Sequence, residues 1–501
     1  MAALEEVDPS AVPEMVAKLR KAFNTGKTRP KQYRLHQLKC LLRMLEEKED
    51  EIATAIYNDL RRSKEESMLG EFFSTKAELV TAINNLDEWM KPEYVKKDMT
   101  DMINSIYIQR EPLGVVCVIS SWNYPIVVLI QPVAAAIAAG NVVLLKPSDV
   151  STHTSNLMME LIPQYLDPEC YSVAAGGIPV AQAVLKEKFD HIIYTGSSGV
   201  GKIIMKAAAE HLTPVTLEMG GKSPCYVDSS ANIKVAGKRI AWGKYLNAGQ
   251  TCLAPDYVLC QKSVKDDLVA SIKTAVKEFY GEDPRTSKSY ARVINERHFT
   301  RVERLLKDGV TVMGGESDKD DLYIAPTLIT DVKNDDAIME DEIFGPILPI
   351  VTVDDLDGAI DYINGKEKPL VLYAFTTNKQ VQKLLSTRTS SGGFTVNDVL
   401  VQFGVLTLPF GGVGNSGQGA YHGKFGFDTF SHKKACYITT SITEPLMSVR
   451  YPPFTTRNLK IASSLIVPKI KRRSYFRKAV MLCFIAVMVA FGLRRLGYSF
   501  F

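Results

Sequence analysis

The chain has 501 residues, 46% apolar and 23% charged, a globular composition long enough for two or three domains with separate cores. Its net charge of +4 is unevenly placed. Eight basic residues and no acidic one follow Pro468, which leaves residues 1–468 at −4 and argues against a nucleic-acid protein, whose folded body would carry the basic patches. The 8 cysteines contain no C-x-x-C pair, and there is no H-E-x-x-H and no N-x-[ST] sequence. We therefore expect neither a disulfide framework nor a metal site. Met1–Ser10 lacks an apolar stretch, so we expect no secretory signal and a body in reducing cytosol.

In chain order, residues 13–24 and 30–61 have helical periodicity with one charged face. Asn104–Ile108 alternates as a strand. Strand and helix then repeat: strand Val115–Ser120, helix Ile126–Ala139, strand Val142–Lys146, helix Thr152–Tyr165, strand Ser172–Ala175, helix Val180–Lys186, strand His191–Thr195 and helix Val200–His211. Near-continuous apolar strands alternating with helices predict a parallel sheet covered on both faces. A second α/β region follows Glu218, with helices Ile233–Tyr245, Val264–Phe279 and Glu296–Lys307. Residues 400–440 are rich in glycine and aromatics. After Pro452 and Pro453, the segment Thr456–Val467 places Leu459, Ala462 and Ile466 on one face of a short amphipathic helix.

Four segments fall at strand ends, where open α/β sheets bind ligands: Ser121–Pro125, Lys146–Asp149, Leu217–Lys222 and Asn247–Cys252. Together they resemble the aldehyde dehydrogenase superfamily over about residues 10–440. Gly249–Cys260 (GQTCLAPDYVLC) and Pro409–Lys434 look like its class 3 branch, and the basic, apolar tail looks like the membrane-bound fatty aldehyde type of that branch. The resemblance implies an aldehyde-dehydrogenase-like α/β fold of two parallel-sheet domains, a β oligomerisation arm and a C-terminal membrane helix. The cofactor domain would span 1–84 and 111–216, and the catalytic domain 217–399. The arm would span 85–110 and 400–440, a linker with the amphipathic helix 441–474, and the anchor 475–501.

The resemblance also assigns roles. Cys252 matches the nucleophile, Asn123 the oxyanion donor and Glu218 the base that activates water. Glu342 matches the nicotinamide-ribose contact and Phe344 its packing partner, and Lys146 would bond the adenine ribose. Many family members carry Glu where this chain has Asp149. The shorter acid implies NAD as main cofactor, with NADP less firmly excluded. Gly196-Ser197-Ser198-Gly199-Val200-Gly201 matches the family's dinucleotide turn at Gly196 and Gly201, ahead of a helix whose N-terminus suits a phosphate. Trp122 would flank the cofactor. No metal ligand is implied.

Ala479–Leu493 carries no charge, and its fifteen residues would reach roughly 22 Å as a helix, against roughly 30 Å of hydrocarbon. Basic residues flank both ends, and Tyr475, Phe476, Tyr498, Phe500 and Phe501 supply interfacial aromatics. We expect a tail anchor with a cytosolic body, in the endoplasmic reticulum or alternatively the peroxisomal or mitochondrial outer membrane. An anchor lying in the interface and a buried core helix are the other readings of this segment, the core helix disfavoured by the basic clusters at both ends. The expected partners are a long-chain aldehyde, membrane lipid and, from the class 3 resemblance, a second copy in a homodimer. Three other readings stay open: a class 3 enzyme for medium-chain or aromatic aldehydes, an acylating enzyme that passes its thioester to coenzyme A, and an inactive membrane-bound binding protein.

Overall fold

In the computed structural model, residues 3–98 and 101–467 are described. Two compact units emerge: residues up to 93 with 108–434, and 94–107 with the residues from 435 onward. The first unit contains two large sheets. One has six strands in the order Gly417–Gln418, Val215–Met219, His191–Gly196, Val115–Ile119, Val142–Lys146, Tyr171–Val173, all parallel but the first. Val115–Val118 and the whole of Val142–Lys146 are buried, as an apolar strand covered on both faces requires. The strand order reverses between Val115–Ile119 and His191–Gly196, and in such sheets a crevice opens beyond the carboxyl ends at that point.

The second sheet runs Val310–Met313, Thr327–Thr330, Ile347–Val353, Tyr257–Gln261, Pro224–Val227, Val371–Phe375, Gly393–Val396, with only the first strand antiparallel. Alternation decides its two faces. Cys225, Val227, Val258 and Cys260 face a core with helices Ile233–Tyr245 and Lys262–Tyr280. Tyr226, Tyr257 and Leu259 face the opposite core with Phe299, Ile360 and Leu385.

Helix Val127–Ala139 is buried at every residue. Its first amide groups cannot reach water, so they need an internal acceptor. Glu71 supplies it: Ile126 N–H and Val127 N–H donate to Oε2 at 2.7 and 3.1 Å. Glu71 sits on the π-helical turn Met68–Phe72, and its other oxygen pairs with Arg62, which is likewise wholly buried.

Several elements differ from the sequence expectation. The helix expected over 30–61 breaks at Lys48 into Lys31–Glu47 and Glu49–Leu60, and Glu49, Asp50 and Glu51 fill the first turn of the second, where acids suit the helix dipole. Helix Phe73–Met90, for which the sequence set no expectation, buries Thr75 and Glu78 beside Leu79, Ala82 and Leu86. The helix at Glu296 tightens to a 3-10 turn over Arg304–Lys307. Gly417–Gln418, from the glycine-rich stretch, pairs with Glu218 and Leu217 as an edge strand of the six-stranded sheet.

In the second unit, Asn104 Nδ2 donates to Tyr437 Oη at 2.7 Å. The expected amphipathic segment is helix Thr456–Ile466, capped by Thr455 and with no buried residue. Among the described residues no helix is long and apolar enough to cross a membrane. The proposed anchor, 475–501, lies outside the described residues.

Removing Glu71 as Ala leaves the Arg62 guanidinium buried without its partner and two helix amides without an acceptor. The expected cost is about 3–5 kcal/mol in urea unfolding. A loss below about 1 kcal/mol would show that the pair does not organise this corner.

Candidate active site

Cys252 follows a strained turn. Asn247, Ala248 and Gly249 have φ of 53°, 50° and 75°, three left-handed residues in succession. Such conformations persist only when the surroundings over-determine them. Here Glu66 Oε1 accepts from Asn247 N–H at 2.7 Å, Asn247 Nδ2 donates to the carbonyls of Asn123 and Gln250 at 3.0 and 3.1 Å, and Gln250 Nε2 donates to Arg292 O at 3.0 Å. A Cβ on Gly249 would fall 2.2 Å from Gly345 O, so only glycine fits there.

The same network fixes Asn123. Its Nδ2 donates to Gln250 O at 3.1 Å, and Ser121 Oγ donates to its Oδ1 at 2.7 Å, which sets the amide with its NH2 toward the Cys252 loop. Arg62 Nη1 donates to Asn123 O at 3.0 Å and its guanidinium lies 4.8 Å from the Tyr124 ring, while Tyr124 Oη bonds Thr251 Oγ1 at 2.9 Å. Residues 62–71 therefore support Asn123, Asn247 and helix Val127–Ala139 from one segment. Nothing in the sequence near Arg62 and Glu66 marked them, because their partners lie 61 and 181 residues away.

The carboxyl ends of the six-stranded sheet face the amino ends of the seven-stranded one across a single cavity of about 1330 Å³. Asn123 and Glu218 come from the first; Cys252, Glu342 and Phe344 precede strands of the second. Both Glu218 oxygens are buried without a hydrogen-bond partner, and burial holds its carboxyl well above the usual range. Burial also pushes the Cys252 thiol up to about 12, helped by Glu342 and Glu218 and opposed by the Cys252 and Leu253 amides. Glu342 rises to about 8, through burial and then Asp256, with the Gly221 amide opposing. It lies so close to Gly220 that a Cβ there would be 2.0 Å from its Oε2. Arg301 Nη2 donates to Ile343 O at 2.7 Å, and Asp256 Oδ1 accepts from Ile343 N–H at 3.0 Å, which together fix the Glu342–Phe344 backbone.

At the cavity's other end, Lys146 Nζ donates to Gly176 O at 2.9 Å, and Asp149 lines the wall beside Gly177. Gly196 and the N-terminus of helix Ser198–Ala209, capped by Ser197, open onto the same space. Trp122 stands edge-on to Phe344, ring centroids 5.3 Å apart, and 4.8 Å from His298. Nine of the ten sequence-proposed site residues line the cavity. Gly201 does not: a Cβ there would meet Met219 Sδ at 2.5 Å, so its role is close packing of helix on strand. The remaining cavity wall includes Leu69, Val127, Val128, Trp242, Leu246 and Phe403, an apolar side the sequence did not single out. Among the described residues no group of three or more His, Cys, Asp or Glu could hold a metal.

A thiol with so high a pKa is protonated at neutral pH. Iodoacetamide alkylation of Cys252 is expected to be slow at pH 7 and to climb about tenfold per pH unit through pH 9–11, since the thiolate is the nucleophile. Glu342→Gln should move that curve to lower pH by removing a carboxylate that opposes ionisation. A plateau reached below pH 8 in the unliganded protein would contradict this electrostatic picture.

The Aldehyde dehydrogenase family model matches residues 1–436. Aldehyde dehydrogenase family 3 member A2 of Mus musculus is 48% identical over 472 residues, 94% of this chain and 97% of that protein. Aldehyde dehydrogenase, dimeric NADP-preferring, of Rattus norvegicus is 50% identical over 444 residues, 89% of this chain and 98% of its own. The substrate-bound structure of Staphylococcus aureus AldH superposes with a TM-score of 0.88 at 40% identity, over 90% of this chain and 99% of that one. Sequence, fold and the thiol between two buried carboxylates agree: this chain belongs to the aldehyde dehydrogenase family, in its class 3 branch, and is an NAD(P)-dependent enzyme.

Proposed function

We propose that the chain oxidises long-chain aliphatic aldehydes to carboxylic acids, with NAD+ as main cofactor and measurable use of NADP+. The observation that carries the substrate class is the set of apolar residues in the cavity lining, among them Trp242, Leu246 and Phe403 in the cluster that also holds Cys252, together with the basic and apolar sequence after Pro468. Each buried methylene contributes about 0.8 kcal/mol, so an apolar channel rewards chain length.

Cys252 is the nucleophile. Its thiolate attacks the aldehyde carbon, and the Asn123 amide with the Cys252 backbone N–H stabilises the alkoxide. The cofactor, when bound, takes up the hydride. Glu218, held neutral-prone but unpaired, accepts a proton from water as that water attacks the acyl-sulfur carbon, and the acid leaves. Lys146, Asp149, Gly196, Glu342 and Phe344 would hold the dinucleotide, with Trp122 flanking it. The cavity fits such a group: its lining includes both the N-terminus of the helix at Ser198 and the Cys252 thiol, and at Gly196 and Gly220 a Cβ would strike Tyr194 and Glu342. Glu218 favours hydrolysis over transfer to coenzyme A. The presence of Cys252, Glu218 and Asn123 together speaks against an inactive binding protein.

The dimeric name of the rat relative supports a homodimer here. We assign the body to the cytosolic side of the endoplasmic reticulum membrane, on the excess of basic residues from Lys469 to Lys478 over Arg494 and Arg495. The domain division given above is retained in this reading.

NADH formation with saturated aldehydes of six to sixteen carbons tests the substrate class. kcat/KM should rise at least tenfold across the series, and benzaldehyde should be poor. A flat series, or a preference for benzaldehyde, would favour the medium-chain or aromatic reading. Asn123→Ala should lower kcat about 10²–10³-fold. kcat/KM for NADP+ should lie within about four decades of that for NAD+.

A further inference from the structure

Residues 3–7 are fastened to Asn156, Ala175 and Gly177, next to the Lys146 end of the cavity. Val7 N–H donates to Ala175 O at 2.9 Å, Glu5 N–H donates to Asn156 Oδ1 at 2.9 Å, and Asn156 Nδ2 donates to Ala3 O at 2.8 Å. The strap fixes the backbone on both sides of Glu6, whose Oε1 accepts from Gly177 N–H at 3.2 Å. Gly177 lines the cavity, next to Gly176, whose carbonyl holds the Lys146 ammonium at 2.9 Å.

A Cβ placed on Gly177 would lie 3.4 Å from Glu6 Oε1 and 3.7 Å from Asp149 Oδ2, so these two carboxylate oxygens stand no more than about 7 Å apart, both beside this glycine. Both act on Lys146, whose charge is disfavoured by burial and supported by Asp149, Cys117 and Glu6. The local set is two carboxylates and one ammonium.

We propose that Glu6 is a specificity-determining residue of the cofactor site: the N-terminal strap adds a second carboxylate beside Asp149 and so discriminates against a 2′-phosphate on the adenine ribose. This rests on the placement of that ribose at Lys146 and Asp149. Asp149 is one methylene shorter than Glu, which withdraws its charge from the ribose, and Glu6 restores negative potential beside Gly177. A dianionic phosphate between two acids at this separation is repelled through partly solvated surroundings, so the effect is moderate and depends on salt.

Calorimetric titration of the full chain in detergent with 5′-AMP and with 2′,5′-ADP reads this without turnover. Glu6→Gln should shift the ratio of the two dissociation constants about five- to tenfold toward 2′,5′-ADP. The shift should shrink as salt rises from 0.05 to about 0.5 M. Glu5→Gln, which changes the same net charge one residue away, should leave the ratio within about twofold. An unchanged ratio in Glu6→Gln, or an equal shift in Glu5→Gln, would overturn the assignment. If Asp149→Asn also leaves the ratio unchanged, the ribose placement itself is wrong. A ratio that moves with Asp149→Asn alone rejects only the role of Glu6.

Discussion

Three ionisable groups, Cys252, Glu218 and Glu342, share one crevice, where burial outweighs the pull of Arg301 and Lys222 on Glu342. Each is held toward the neutral form chiefly because burial disfavours charge; Glu342 and Glu218 add to this at Cys252, and Asp256 adds to it at Glu342. Desolvation on this scale is costly to the fold, since an unfolded chain would ionise the two acids near pH 4 and the native state must bind their protons more tightly. The arrangement is therefore a functional one. It keeps a protonated thiol beside acids whose carboxyls are held above their usual range.

What permits that desolvation is the way the sheets meet. Loops leaving one sheet and loops approaching the other close on each other, so the reacting groups arrive from opposite sides of a cavity and are screened by both. The geometry is kept by a set of buried polar contacts outside the reacting groups. Arg62, Glu66 and Glu71 hold Asn123, the left-handed turn at Asn247 and the start of helix Val127–Ala139, while Arg301 and Asp256 hold the backbone at Ile343. Backbone strain at Asn247–Gly249 is thus balanced by hydrogen bonds to groups fixed elsewhere. The edge strand Gly417–Gln418 adds a further restraint directly on Glu218.

The parallel sheets were legible because strands such as Val142–Lys146 are apolar throughout, and helix Ile233–Tyr245 was legible to the residue because its apolar positions recur at helical spacing. Helix Phe73–Met90 was not, since a buried Glu78 accepting from Gly423 N–H reads in sequence as a surface acid. The reacting residues were visible through motifs that span a few positions. Their supports were invisible, because a contact between Glu66 and Asn247 leaves no local pattern in either segment. Gly201, matched to the dinucleotide turn in the sequence, does not line the cavity and stands where a Cβ would meet Met219.

The substrate class and the membrane reading meet in one physical argument, that a hydrophobic aldehyde is best met where it partitions and best bound in a channel lined by Leu69, Val127, Val128 and Phe403. Both depend on the chemistry at Cys252. The most direct measurement is intact-protein and peptide mass spectrometry of Glu218→Gln, mixed with hexadecanal and NAD+. The account predicts one equivalent of NADH per site in a burst, and a persisting hexadecanoyl adduct on the peptide that carries Cys252. Sustained turnover with Cys252 unmodified, or an adduct on another residue, would contradict it.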